Sequence, residues 1–161
     1  MPIEMRIKGL VIDPLSKMPI VVLEDLGSER ILPIWIGVFE ANAIALIIEN
    51  VPTPRPMTHD LMKSLLTKLG IAVERIVVTD VRNNTFYAAI HCRRGDDEVV
   101  FDSRPSDAIA LALRTRAPIF VEDDVVRKSH GLKGDETPDT LENIRNWLES
   151  ISSEALGKYK M

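Results

Sequence analysis

The chain has 161 residues and a formal net charge of -4, with 45% hydrophobic and 27% charged residues. That balance belongs to a globule of one domain or two small fused halves, able to bury about 70% of its unfolded surface without a disulfide or metal staple. The negative sign excludes nucleic-acid binding through bulk field, so any such contact must rest on a local group of Arg and Lys.

In chain order, Met5 to Asp13 reads as a strand bounded by Pro14, and Met18 to Asp25 as a second. Leu26-Gly27-Ser28 turns the chain into a third, Arg30 to Ile36, where Pro33 points to a sheet edge or bulge. GVFEANAIALIIE follows as a helix apolar nearly all round, the pattern of a buried one. Pro52, Pro54 and Pro56 then make a stiff, extended connector. MTHDLMKSLLTKLG reads as a second helix, capped by Thr58, striped by Leu61, Leu65, Leu66 and Leu69, and closed by Gly70.

Three strands come next: Ala72 to Val81, Thr85 to Arg93 and Glu98 to Asp102, with turns at Arg82-Asn83-Asn84 and Gly95-Asp96-Asp97. RPSDAIALALRTR is the third helix and PIFVED a short strand. Val126 to Pro138 reads as a polar loop. Asp139 to Ile151 reads as an amphipathic helix with Leu141, Ile144, Trp147, Leu148 and Ile151 on its apolar side, and the remaining tail as frayed. The tetrad Ala-Ile-Ala-Leu occurs at 43–46 and again at 108–111. Both copies sit in helices that follow three strands, so a duplicated strand-strand-strand-helix unit (about 4–49 and 72–114) is expected. The fold class is α+β, a mixed or antiparallel sheet packed with helices.

Cys92 is the only cysteine, which suits a reducing compartment and no internal disulfide. The N-terminal MPIEMRIKGLVIDP lacks the basic lead and apolar core of a signal peptide. No apolar run reaches the ~18 residues of a membrane span. A cytoplasmic protein without a membrane partner is expected.

Charged residues precede each tetrad. In Asp102-Ser103-Arg104-Pro105-Ser106-Asp107, Pro105 suits a first helical turn, a serine can cap, and Asp107 complements the helix dipole. Arg104 sits at the wrong end of that dipole and asks for another explanation. Glu40 shares a helical face with Ile44 and Ile47, so its carboxylate needs a cation or a metal. In Arg55-Pro56-Met57-Thr58-His59-Asp60, the acid and Thr58 have structural accounts; His59 at a helix start is a candidate general base. His91 reads as structural. Arg114, Arg116, Arg127 and Lys128 could form a basic patch or a solvated rim. There is no C-x-x-C, H-E-x-x-H or G-x-S-x-G motif.

RPMTHDL, FDSRPSDAIALALRTRAPIFV and LPIWIGVFEANAIALIIE together resemble the bifunctional nuclease domain family of bacteria and plants, over about residues 1–130. Residues 131–161 fall outside the resemblance. It implies a compact α+β fold, a homo-oligomer with a dimer favoured, and hydrolysis of DNA and RNA. On that reading His59 and Asp60, with Asp102, Asp107 and Glu40, are catalytic candidates. Asp102, Asp107 and Glu40 would hold Mg2+ or Mn2+ through oxygen, and Arg55, Arg104 and Ser106 would bind phosphate. Two other readings stay open. One is a non-enzymatic, oligomeric regulatory or interaction domain in which the same charges form a packing network. The other is a small-molecule site between the halves.

Overall fold

A computed structural model describes residues 1–131. The helix expected over Asp139 to Ile151 and the tail lie outside the described residues. The elements are β1 (Pro2–Ile12), β2 (Pro19–Asp25), β3 (Ile31–Trp35), α1 (Val38–Ile48), α2 (Thr58–Lys68), β4 (Ala72–Arg82), β5 (Thr85–Arg94), β6 (Asp97–Ser103), α3 (Pro105–Thr115), β7 (Ile119–Glu122) and α4 (Asp123–Gly131). All strands join one sheet in the order β3-β2-β1-β7-β4-β5-β6. Every pairing is antiparallel except β4 with β7. The fold is therefore α+β with a mixed sheet.

The two antiparallel triplets, β1-β2-β3 and β4-β5-β6, flank the four-residue β7. Their order and directions are those of a half-turn about a line through β7, and each is followed by a helix carrying the tetrad. The likeness is one of strand order and direction only and does not establish the expected duplication. Both tetrads are buried, and α1 packs on α3, so alanines let two backbones come close while Ile44, Leu46, Ile109 and Leu111 fill the space between helices and sheet. Alternation sends Leu23, Leu32, Ile76, Ile90, Ile119 and Val121 into the same core. Cys92 is buried there, and burial pushes its thiol pKa up, so it is a packing residue.

Local chemistry sets the turns. Asn83 and Asn84 both have positive φ, as a tight β4–β5 hairpin demands, and Gly70 takes φ +73° just past α2. Pro33 lies in β3, an edge strand, as its missing N–H requires. Asp25 organises the β2–β3 turn by accepting from the Gly27 N–H (2.8 Å), the Ser28 hydroxyl (2.7 Å) and the Arg30 guanidinium (2.9 Å). These donors, Ser28 first, hold its pKa below the ordinary 3.8. Stabilisation of this kind is whole above the unfolded-state pKa and is lost as pH falls through the lower folded-state value. Melting temperature should therefore drop with acid below about pH 4, and Asp25→Asn should make that acid limb shallower while lowering stability at neutral pH. Acid limbs of equal slope would remove Asp25 from the account.

Three expectations need correction. The loop expected from Val126 is helical through Gly131: Asp123 and Asp124 complement the helix start, Arg127 pairs back to both, and Val125 and Val126 are buried. α1 is buried only in its middle; Val38, Phe39 and Ile48 are exposed. Of the α2 leucine stripe only Leu66 packs against the core, and Leu61, Leu65 and Leu69 are more than half exposed. That helix rides on α3 rather than on the sheet, so its inward side is His59, Met62 and Leu66. Among the described residues no helix is long and apolar enough to cross a membrane.

Candidate functional site

The first turns of α1, α2 and α3 meet. Arg104 is the residue that caps α3, with Pro105 opening the helix. Its cation is explained by two acids: Nε donates to Asp107 Oδ2 at 2.9 Å, and Nη2 donates to Glu40 Oε1 at 2.9 Å. Both bonds push the guanidinium pKa up, that to Asp107 more. The other oxygen of Asp107 meets His59 Nε2 at 2.9 Å. His59 is the one buried residue of α2, at 7% exposure, whereas the Arg104 side chain is 64% exposed. The result is a chain of contacts, His59–Asp107–Arg104–Glu40, that runs from the interior to solvent.

Asp60 has a different task. Its Oδ2 accepts the Met57 N–H at 2.9 Å, so Met57 rather than Thr58 is the capping position. Its Oδ1 accepts from Arg114 Nε at 2.7 Å. Burial raises the Asp60 pKa, but these two donors outweigh it and the net direction is down. Arg114, expected in a basic patch, is instead 2% exposed in its side chain. It donates to the carbonyls of Ala110 and Ala43, both at 2.9 Å, and so ties α1, α2 and α3 together. One sequence signal could have found it: Arg114 lies seven residues after Asp107, on the same helical face. Of the rest of the expected basic patch, Arg127 pairs with Asp123 and Lys128 with Asp80, while Arg116 caps the end of α3 with φ +58°.

Asp102 does not join the cluster. In β6, Phe101 and Ser103 pair with the core residues Ile90 and Ala88, while Asp102 pairs with Ala89 on the alternate register. Its side chain therefore faces the opposite side of the sheet from α1 and α3. The expected trio Asp102, Asp107 and Glu40 thus does not assemble. Among the described residues no group of three or more His, Cys, Asp or Glu is placed to hold a metal. Arg55 is exposed on the connector, four residues before His59, without a side-chain partner among the described residues. Ser106 is buried in the first turn of α3, its hydroxyl likewise unpartnered among the described residues. A cavity of about 450 Å³ near Met1, Glu122 and Arg127 shares no residue with the cluster.

Gly37 is a residue that sequence reading passed over. It caps α1 with φ -72° and ψ 158°, open to any residue, yet a Cβ there would lie 2.1 Å from Glu40 Oε2. The missing side chain seats the Glu40 carboxylate against Arg104. Gly37→Ala is expected to displace it from Arg104 at a stability cost of about 1 kcal/mol or less. An unchanged Glu40–Arg104 contact in a structure of Gly37→Ala would contradict this seat.

The fold and the cluster define an α+β domain with a His–carboxylate–arginine cluster where three helices begin. The family model of the bifunctional nuclease domain matches residues 21–132, and the chain belongs to that family. It is 35% identical over 158 residues to the Uncharacterized protein Rv1829 of Mycobacterium tuberculosis, covering 92% of this chain and 94% of that one. It is 32% identical over 116 residues to Bifunctional nuclease 1 of Oryza sativa subsp. japonica, covering 69% of this chain. It is 31% identical over 102 residues to Bifunctional nuclease 2 of Arabidopsis thaliana, covering 62% of this chain. The matched region spans only about a third of these two plant proteins, 34% and 31% of their lengths.

Proposed function

We propose that this protein is a cytoplasmic nuclease that hydrolyses phosphodiester bonds in DNA and RNA at the His59–Asp107–Arg104–Glu40 cluster. The observation that carries the reading is Asp107, one carboxylate that meets both an imidazole and an arginine. With Asp107 accepting from the His59 Nε2–H, the imidazole lone pair lies on Nδ1, the atom that would take a proton from the attacking water. Arg104 leaves Glu40 for the phosphate, offering a two-pronged grip as charge builds on its oxygens, and Arg55 adds a second cation from the connector. The buried Ser106 hydroxyl is left for a bond to the bound phosphate or its water. A water nucleophile leaves the 2′-hydroxyl out of the reaction, which is why one site can act on both nucleic acids. Glu40 and Asp107, with substrate oxygens, are the ligands a Mg2+ or Mn2+ ion would find; no step here is routed through one. A homodimer belongs to this reading, supported by the exposed Leu61, Leu65 and Leu69 on α2.

A second reading is favoured by one observation: the cluster's charges already satisfy one another. An interaction domain would use them to fix how α1, α2 and α3 pack. The deciding experiment is cleavage of single-stranded DNA and RNA by highly purified protein, with and without EDTA, beside Asp107→Asn. Activity that follows the protein through purification and disappears in Asp107→Asn supports hydrolysis. Activity that separates from the protein supports the interaction domain, and activity that stays with the protein but survives the substitution removes hydrolysis from this cluster.

A further inference from the structure

Phe39 is the most exposed aromatic side chain among the described residues, at 88% exposure. It does not sit on a loose loop. It is in the first turn of α1, where the Ala41 N–H donates to the Gly37 carbonyl at 2.9 Å. Val38, beside it, is also exposed, as is Met57 at the start of α2. The next residue along, Glu40, is the one bonded to Arg104. An aromatic face therefore stands in water on a helical turn, one residue before the carboxylate that holds the exposed guanidinium of the cluster. No ring or cation contact covers it among the described residues.

Hydrophobic burial is non-directional, so an isolated exposed Phe needs no explanation by itself. Its place one residue from the carboxylate bonded to Arg104 supplies one. Proteins that hold single strands combine cations tracking the backbone with aromatic faces on which unstacked bases lie. Paired bases inside a duplex offer no free face. We infer that Phe39 is the stacking platform for one base of a single-stranded nucleic acid whose phosphate is held at Arg104, so the chain selects single strands over duplex. This inference rests on the proposed nucleic-acid site, and it concerns binding rather than bond cleavage.

The test is a fluorescence-anisotropy titration of the full chain with a labelled strand of about 12 nucleotides, made with phosphorothioate linkages to resist hydrolysis, and with the matching duplex. Phe39→Ala is expected to weaken single-strand binding about 5- to 100-fold, leave duplex binding near that of the parent, and keep the parent's melting temperature, since the ring is in solvent. Phe39→Trp is expected to restore binding, with its indole fluorescence quenched by the strand. Unchanged single-strand binding in Phe39→Ala overturns the inference, as does equal loss on strand and duplex, or loss that tracks dissociation of an oligomer in sedimentation. The two readings fail separately. Binding that depends on Phe39 without cleavage by the parent removes hydrolysis and leaves the platform. Cleavage with binding indifferent to Phe39 removes the platform and leaves hydrolysis. A parent chain that binds no strand removes the platform, and the cleavage assay then decides the rest.

Discussion

Alanine at Arg114 is expected to lower stability by about 3 kcal/mol, the low end for breaking a buried ion pair, because the Asp60 carboxylate is partly in solvent. The side chain is almost wholly enclosed and bonds Asp60 and the carbonyls of Ala43 and Ala110. Removing it takes a second donor from two buried helical carbonyls and leaves a carboxylate short of its cation. Lysine should not rescue it, because three partners in three directions match a planar guanidinium and not one ammonium. Asp60→Asn should cost less, since its bond from the Met57 N–H can persist. Urea unfolding of the three variants measures the order: Arg114→Ala lowest, Arg114→Lys close to it, Asp60→Asn nearer the parent. A loss under about 1 kcal/mol in Arg114→Ala would mean the helices are held by packing alone.

The second large effect is kinetic. His59→Gln keeps a donor for Asp107 but no titrating base, and Asp107→Asn keeps the shape but removes the charge that orients both His59 and Arg104. Under the proposed hydrolysis, each is expected to reduce cleavage by about 10²–10⁴-fold. The double variant should lose little more than the worse single one, because the groups act as a unit. Losses that multiply would place the two residues in separate roles. His59 is buried, so alanine there would also disturb packing, and glutamine is the cleaner probe.

Much of this architecture was legible in the chain. β-rich runs bounded by turn signals located all seven strands to within a few residues. Asn83-Asn84 announced a tight hairpin, Gly70 a helix end, and Pro33 an edge. The candidate residues Glu40, His59, Arg104 and Asp107 were legible too, because Arg104 at a helix start and Glu40 on an apolar face each lacked a local explanation. Other features were hidden for physical reasons. A one-residue shift in strand register decides which face Asp102 takes, and β6 is too short and too polar for alternation to settle it. The leucine pattern of α2 gives a stripe but not the direction in which it points; that depends on docking against α3. Arg114 looks like any cation ending a helix until its partners, 54 and 71 residues away, are in place. Gly37 and Phe39 matter through what lies beside them in space.

Where β7 lies has a consequence for how the chain reaches its native state. The strand that joins the two triplets is the last of the seven to leave the ribosome. Until residues 119–122 emerge, β1 and β4 each present an unpaired backbone edge, the template on which strands of other chains add. Closing the sheet also brings Pro2–Met5 against Ile119–Glu122, a contact across almost the whole described chain, and such distant pairings form slowly. Nascent chains stalled before Ile119 are therefore the form most in need of a chaperone, and four residues in the middle of the sheet turn two sticky fragments into one closed domain.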